Sequence, residues 1–225
     1  MTLDDALEAL RAEIEPGRAE QMIAYHKQCR EVLGVGNEVL NTLSRDWRAA
    51  LDLNARVDLA AELWASDIFE ARILAAKLLT QARIKPDAAA WDLLQSWVPD
   101  FDSWAIADHA ASAISKRLVA DPARLDTVED WTTSEHMWTR RAALVSTLPW
   151  AKFANPKPEQ LAERERILGW AAGYVPDRDW FIQKAIGWWL RDLSKHDAER
   201  SKAFLAEHGE SMKAFARKEA AKYLK

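Results

Sequence analysis

Only one cysteine, Cys29, stands in the 225 residues, which excludes an internal disulfide framework and fits a reducing compartment. Glycine and proline are scarce, at 7 and 8 positions, so the chain has few breakers and favours helix. No apolar run approaches the length of a membrane span, and the start, MTLDDALEAL, is acidic and amphipathic, unlike a signal peptide. The five histidines at 26, 109, 136, 196 and 208 are dispersed, with no HExxH, CxxC or EF-hand loop, so no metal site is expected. GxGxxG and P-loop patterns are missing, so no nucleotide cofactor is expected either. There is no GxSxG elbow, and Cys29 has no evident base. These absences point to a soluble, cytoplasmic protein whose chemistry uses neither metal nor cofactor.

What is present is a globular composition, 49% hydrophobic and 29% charged, on a chain long enough for one sizeable core. Twelve tryptophans are more than core filling requires, since each indole needs space and a partner for its N–H. The net charge of −4 argues weakly against nucleic acid, but its distribution is uneven. Residues 1–100 carry 11 Lys/Arg against 17 Asp/Glu, whereas residues 184–225 carry 10 against 6. A basic C-terminal portion on an acidic protein hints at an anionic partner.

Helical spacing dominates the chain, and no segment reads as a strand. Helices are expected over Thr2–Ile14, Arg18–Arg30, Glu38–Arg48, Asn54–Ala65, Ile68–Ala82, Asp87–Trp97, Asp102–Leu118, Ala123–Trp131, Glu135–Leu148, Glu159–Ala172, Asp179–Leu193, Ala198–Glu207 and Met212–Tyr223. About thirteen short helices joined by tight turns predict an all-α fold, an α-solenoid of stacked antiparallel pairs with a concave binding face. HEAT-like pairs of roughly 40 residues are the nearest repeat. No linker rich in Pro, Gly or Ser divides the chain, so residues 1–225 are expected to form a single HEAT-like domain.

Three helices carry possible chemistry. In 102–118, Ile106, Ala110, Ala113 and Ile114 form the core stripe, while Trp104 and Asp108 stand one turn apart on the other side. That side continues with the small Ala111, Ser112 and Ser115, leaving room for something bulky. The plain alternative is that Trp104 packs under a neighbouring helix and Asp108 is a solvated first-turn charge. In 135–148 the core stripe is Met137, Leu144, Val145 and Leu148, and Arg141 falls on it. Such an arginine either snorkels or is held by a carboxylate or phosphate. In 180–195, Ile182, Ile186, Trp189, Leu190 and Leu193 make a core side. Trp180, Lys184, Trp188, Arg191 and Lys195 make the opposite one, the mixture of indoles and cations that a phosphate backbone with sugar contacts would use. A solvated basic face with Trp188 capping a neighbouring helix is the structural alternative.

These motifs resemble the DNA alkylation repair family, bacterial alkylpurine DNA glycosylases built from HEAT-like repeats. FIQKAIGWWLRDLSK at 181–195 is similar to the family's signature helix. Tyr25 with Lys27 before LGV at 33–35, LWASDIFEARILAAKLL at 63–79, Trp104 with Asp108, and WTRRAA at 138–143 follow in the family's order. The chain departs from the pattern at GNEVL, where the family's third helix starts Thr-Pro, and at Ser103, where some relatives carry a second Trp.

The resemblance implies an enzyme that hydrolyses the N-glycosidic bond of cationic purines alkylated at ring nitrogen 3 or 7 in duplex DNA. Asp108 would be the catalytic carboxylate, with Trp104 and Trp188 flanking the deoxyribose. Tyr25, Lys27, Arg141, Lys184, Arg191 and Lys195 would contact DNA. A cationic base leaves without general acid, so one carboxylate and several indoles suffice to stabilise an oxocarbenium-like sugar and orient water. A monomer acting at the bacterial nucleoid is expected, with no membrane partner. The rival from another class is a non-catalytic HEAT-like scaffold that binds structured DNA or protein.

Overall fold

The computed structural model describes residues 1–224, and these are all-helical, consistent with a helical-repeat solenoid. They form two compact units, Met1–Ala120 and 121–224.

The first unit contains α1 (Leu3–Arg11), α2 (Arg18–His26), α3 (Asn37–Ala50), α4 (Leu53–Ala65), α5 (Phe69–Leu79), α6 (Ala88–Ser96) and α7 (Trp104–Ala120). Its centre is α5, FEARILAAKLL, which packs against α3, α4 and α7 and is buried along every side except at Arg72. An all-round apolar helix can only be an interior one. Its one acid, Glu70, is fully buried and accepts from the backbone N–H groups of Leu33 at 2.9 Å, Gly34 at 2.7 Å and Val35 at 3.1 Å. Gly34 adopts a left-handed φ of 88°, and a Cβ there would stand 2.8 Å from the Ala19 nitrogen of α2. Only glycine permits both. Arg117, also fully buried, closes the 81–87 turn by donating to the carbonyls of Gln81, Ala82 and Ile84 and pairing with Asp87 at 3.1 Å.

The second unit contains α8 (Leu125–Trp131), α9 (Met137–Ser146), α10 (Leu148–Lys152), α11 (Pro158–Gly173), α12 (Trp180–Leu193), α13 (Ala198–His208) and α14 (Ala214–Ala220). Here α12 is central, touching α9, α10, α13 and α14. Asp179 caps it, accepting from Phe181 N at 2.7 Å, the usual satisfaction of an orphan first-turn donor. Arg164, 2% exposed, plays the part that Arg117 plays in the first unit. It donates to the carbonyls of Trp150 and Phe153, each at 2.9 Å, and pairs with Asp197 at 3.3 Å.

Helix boundaries differ from expectation where the backbone turns early. The first helix, expected to reach Ile14, ends at Arg11, and Ile14 is exposed. The second stops at His26 because Lys27 takes a left-handed φ of 55°. Pro149 sits in the first turn of a separate α10, where its missing N–H costs nothing. Tryptophan serves the core more than expected: Trp47, Trp64, Trp91, Trp97, Trp150, Trp170 and Trp189 are buried. Several find acceptors for the indole N–H, Trp150 on Glu163 at 2.6 Å and Trp170 on Glu129 at 2.8 Å.

Candidate functional site

In the first unit the expected pair stands at the start of α7. Ile106, Ala110, Ala113 and Ile114 are fully buried, so the core stripe is as the spacing predicts. Trp104 and Asp108 lie half-buried on the other side, one turn apart. Ser112 and Ser115 continue that side, but their hydroxyls are turned back onto the helix, Ser112 donating to the Asp108 carbonyl at 3.0 Å and Ser115 to the Ser112 carbonyl at 2.8 Å. Of the three small residues expected to leave this side open, only Ser112 is exposed; Ala111 and Ser115 are buried, at 1% and 8%, because the helix is covered there by its neighbours.

Trp104 belongs to an aromatic cluster. Tyr25, at the end of α2 and 70% exposed, meets it edge-on with centroids 5.8 Å apart. His26 lies 4.9 Å from Trp104 on one side and 4.9 Å from Phe69 on the other. Burial pushes the His26 imidazole below the ordinary histidine value, with the Glu70 charge opposing it in part. Nothing in the spacing singled out His26; its only sequence signal is adjacency to Tyr25. Lys27 follows, exposed. The segment after it is tied down by Arg30, which reaches Asp67 at 3.1 Å and Asp102 at 2.5 Å. On α7, His109 beside Asp108 is pushed down to about 4 by burial and by the charge of Lys77. Lys77 is itself lowered by burial and by Arg48, and donates to Asn41 Oδ1 at 2.6 Å.

In the second unit, Arg141 of α9 is 3% exposed. It donates to the Phe181 carbonyl at 3.0 Å and lies over the Phe181 ring at 5.8 Å. Its guanidinium thus braces the first turn of α12, an anchor that helical spacing could not distinguish from snorkelling. On α12 the residues Ile182, Ile186, Trp189, Leu190 and Leu193 are fully buried, which is the expected core side.

The opposite side of α12 is more occupied than the alternation of indoles and cations suggests, because α14 lies along it. Gly187 permits this: a Cβ there would stand 2.8 Å from the Ala216 carbonyl oxygen of α14. Trp180, still 50% exposed, stacks on Phe215 at 5.5 Å, with the Lys184 ammonium 5.9 Å from its ring. Arg191 pairs with Glu219, and the Lys195 ammonium lies 4.7 Å from the Tyr223 ring. Between them sits Asp192, 4% exposed, which accepts the Trp188 indole N–H at 3.2 Å. It also pairs with Lys152 at 3.3 Å, Arg191 at 3.2 Å and Lys195 at 3.5 Å. Asp192 escaped the sequence reading although it lies four residues after Trp188, the spacing that brings helical side chains together. Gln183, fully buried, donates to the carbonyls of Val175 and Asp177 and accepts from Lys213 N at 2.8 Å, holding the approach to α14.

Among the described residues no three His, Cys, Asp or Glu side chains gather into a metal site. None of their helices is long and apolar enough to cross a membrane.

Solved structures share this fold. A predicted DNA alkylation repair enzyme from Enterococcus faecalis aligns with a TM-score of 0.76 at 21% identity, over 94% of this chain and 97% of its own. AlkD2 from Streptococcus mutans aligns with a TM-score of 0.66 at 18% identity, over 99% of both chains. The protein smu.31 from Streptococcus mutans UA159 aligns at 0.62 and 19%, over 84% and 92%. No curated protein is significantly similar to the chain. The family model described as DNA alkylation repair enzyme matches residues 6–224, running through α1 to α14 and through every motif discussed above. The chain belongs to the DNA alkylation repair enzyme family.

Proposed function

We propose that the protein is a DNA glycosylase that releases purines alkylated at ring nitrogen 3 or 7 from duplex DNA. The observation that carries this reading is the placement of Asp108 one turn from Trp104, whose indole is gathered with Tyr25 and His26, in a member of a DNA alkylation repair family. Alkylation leaves the purine cationic. The C1′–N bond breaks with its electron pair going to the base nitrogen, which neutralises that charge, so no general acid is required. The sugar left behind is oxocarbenium-like. Asp108 stabilises this cation and orients the water that adds at C1′ and gives up a proton. Trp104 adds cation–π attraction and excludes bulk water; Trp188, in the second unit, is assigned to the sugar as well.

Each unit is assigned contacts to the DNA backbone: Tyr25 and Lys27 in the first, and Arg141, Lys184, Arg191 and Lys195 in the second. The protein is taken to act as a monomer in the cytoplasm, at the nucleoid. The deciding experiment measures release of 7-methylguanine and 3-methyladenine from methylated duplex DNA. Liberated base supports the reading, and intact glycosidic bonds at saturating protein refute it.

A second reading, a non-catalytic scaffold for structured DNA or protein, is favoured by one specific observation. Arg191 and Lys195 are already paired with Asp192, which reduces the positive charge they offer to phosphates. Under that reading DNA binds without loss of base.

A further inference from the structure

Helix α2 buries none of its own residues, yet its last side chain is inserted between the starts of two other helices. Phe69 is the first residue of α5 and Trp104 the first of α7, and the His26 ring lies 4.9 Å from each, tilted by 42° and 38°. Phe69 is 1% exposed and so provides a fixed wall, whereas Trp104 is half-buried and has freedom to lose. Tyr25 stands edge-on to both rings, at 4.8 Å from His26 and 5.8 Å from Trp104.

The geometry points to His26 as a positioning residue for the glycosylase site: wedged against Phe69, its ring fixes the Trp104 indole and holds Tyr25 perpendicular to it. The assignment rests on the glycosylase reading above. Three features of the structure support it. The backbone beside His26 is pinned, since Lys27 takes a left-handed φ of 55° and the Gln28 side chain donates to the His26 carbonyl at 3.1 Å. The docking of α2 is otherwise slight: Ala19 abuts Gly34 and the Arg18 guanidinium lies over Gly36. The wedge also has a cost that a hydrocarbon would avoid, because the His26 Nδ1 is buried with no hydrogen-bond partner. Filling space alone does not account for a ring that carries that cost.

Its charge state matters for the same reason. The titratable groups that face it are Tyr25 on its own helix, in ring contact, and Glu70 on α5, whose charge acts on it. Burial disfavours the imidazolium, with Glu70 opposing. A neutral ring leaves the Trp104 face electron-rich; a protonated one would set a cation against that face and against the sugar cation forming beside it.

The test compares wild type, His26→Ala and His26→Phe in single-turnover release of 7-methylguanine across pH, with DNA affinity and melting temperature measured separately. Trp104 emission is isolated as the difference from Trp104→Phe. His26→Ala is expected to slow release at saturating protein by on the order of 10- to 100-fold, the scale of a misplaced group, well beyond any loss of DNA affinity through Tyr25. His26→Phe keeps a flat wedge and restores the neutral-pH rate, while losing the acid limb that wild type shows below the ordinary histidine value of 6.5. The Trp104 emission should titrate on that limb in wild type and not in His26→Phe. Release by His26→Ala at the wild-type rate, a loss seen only in DNA affinity or melting, or a pH-indifferent Trp104 emission would each overturn the assignment. A wild type that releases no base overturns the glycosylase reading and His26's part in excision with it. The emission titration needs no DNA, and it decides the packing of Trp104 by His26 independently.

Discussion

Trp188 donates its indole N–H to Asp192 one turn further along α12, at 3.2 Å, and so the tryptophan assigned to the sugar is oriented by a buried acid. Burial alone would raise the Asp192 carboxyl, but Lys152 and Arg191 outweigh it and hold the group below its ordinary value of 3.8. A depressed carboxyl contributes stability that is present above pH 3.8 and is lost as pH falls through the lower folded value. Asp192→Asn should therefore lower the urea unfolding free energy at pH 7. Its cationic partners reach solvent, so the expected loss is about 1–3 kcal/mol, less than for a pair enclosed on both sides. Equal urea midpoints for the two proteins would show that the four contacts contribute nothing net.

Acid should weaken the first unit through His109. Its imidazole falls to about 4, with burial as the main cause and Lys77 adding to it. The unfolded chain takes up this proton near 6.5 and the folded one does not, so stability is complete above that pH and drains away toward 4. The interval bounds the effect at about 3 kcal/mol. Urea midpoints measured at pH 7 and again near pH 4.5 should differ, and the difference should shrink in His109→Leu. His26 titrates in the same direction, so some acid sensitivity persists in that variant.

Salt dependence separates phosphate contact from structural charge. Lys184→Ala should flatten the slope of log K against log salt by about 0.9, the contribution of one neutralised phosphate. Arg141→Ala should flatten it similarly if Arg141 meets DNA. Because Arg141 is 3% exposed and braces Phe181, the same change should also lower the melting temperature, which Lys184→Ala leaves unchanged. Binding indifferent to salt in wild type would remove both residues from the interface.

How far the sequence could be read depended on the range of the interaction. The core sides of α7 and α12 follow from 3.6-residue spacing alone, since burial of a stripe needs only a neighbour, whichever it is. The end of α2 at His26 was not legible, because Lys27 accepts a left-handed backbone that lysine does not advertise. The covering of α12 by α14 depends on Gly187, whose flatness matters only once Ala216 lies against it. Glu70 looked like one more polar residue in an apolar run until the amides of 33–35 closed around it. The same is true of His26, whose neighbours Phe69 and Trp104 are distant in the chain. Contacts of long sequence separation gave a single chain no periodic signal.

Asp108→Asn tests the chemistry most directly. The change keeps the side chain's size on α7 and removes its charge, so Trp104 and the fully buried Ile106 and Ala110 beneath it should hold their places. What is lost is attraction for the sugar cation as the base departs. A fall of roughly 3 kcal/mol in transition-state stabilisation, on the order of a hundredfold in single-turnover rate, is the scale for one such electrostatic contact. Affinity for DNA should hold or rise, since an anion near phosphates has gone. An Asn variant that releases methylated purines at the wild-type rate would strip Asp108 of its role while leaving the enzyme in place. A wild type that binds methylated duplex and releases nothing would instead favour the scaffold, with Asp108 reduced to an acid on a helix surface.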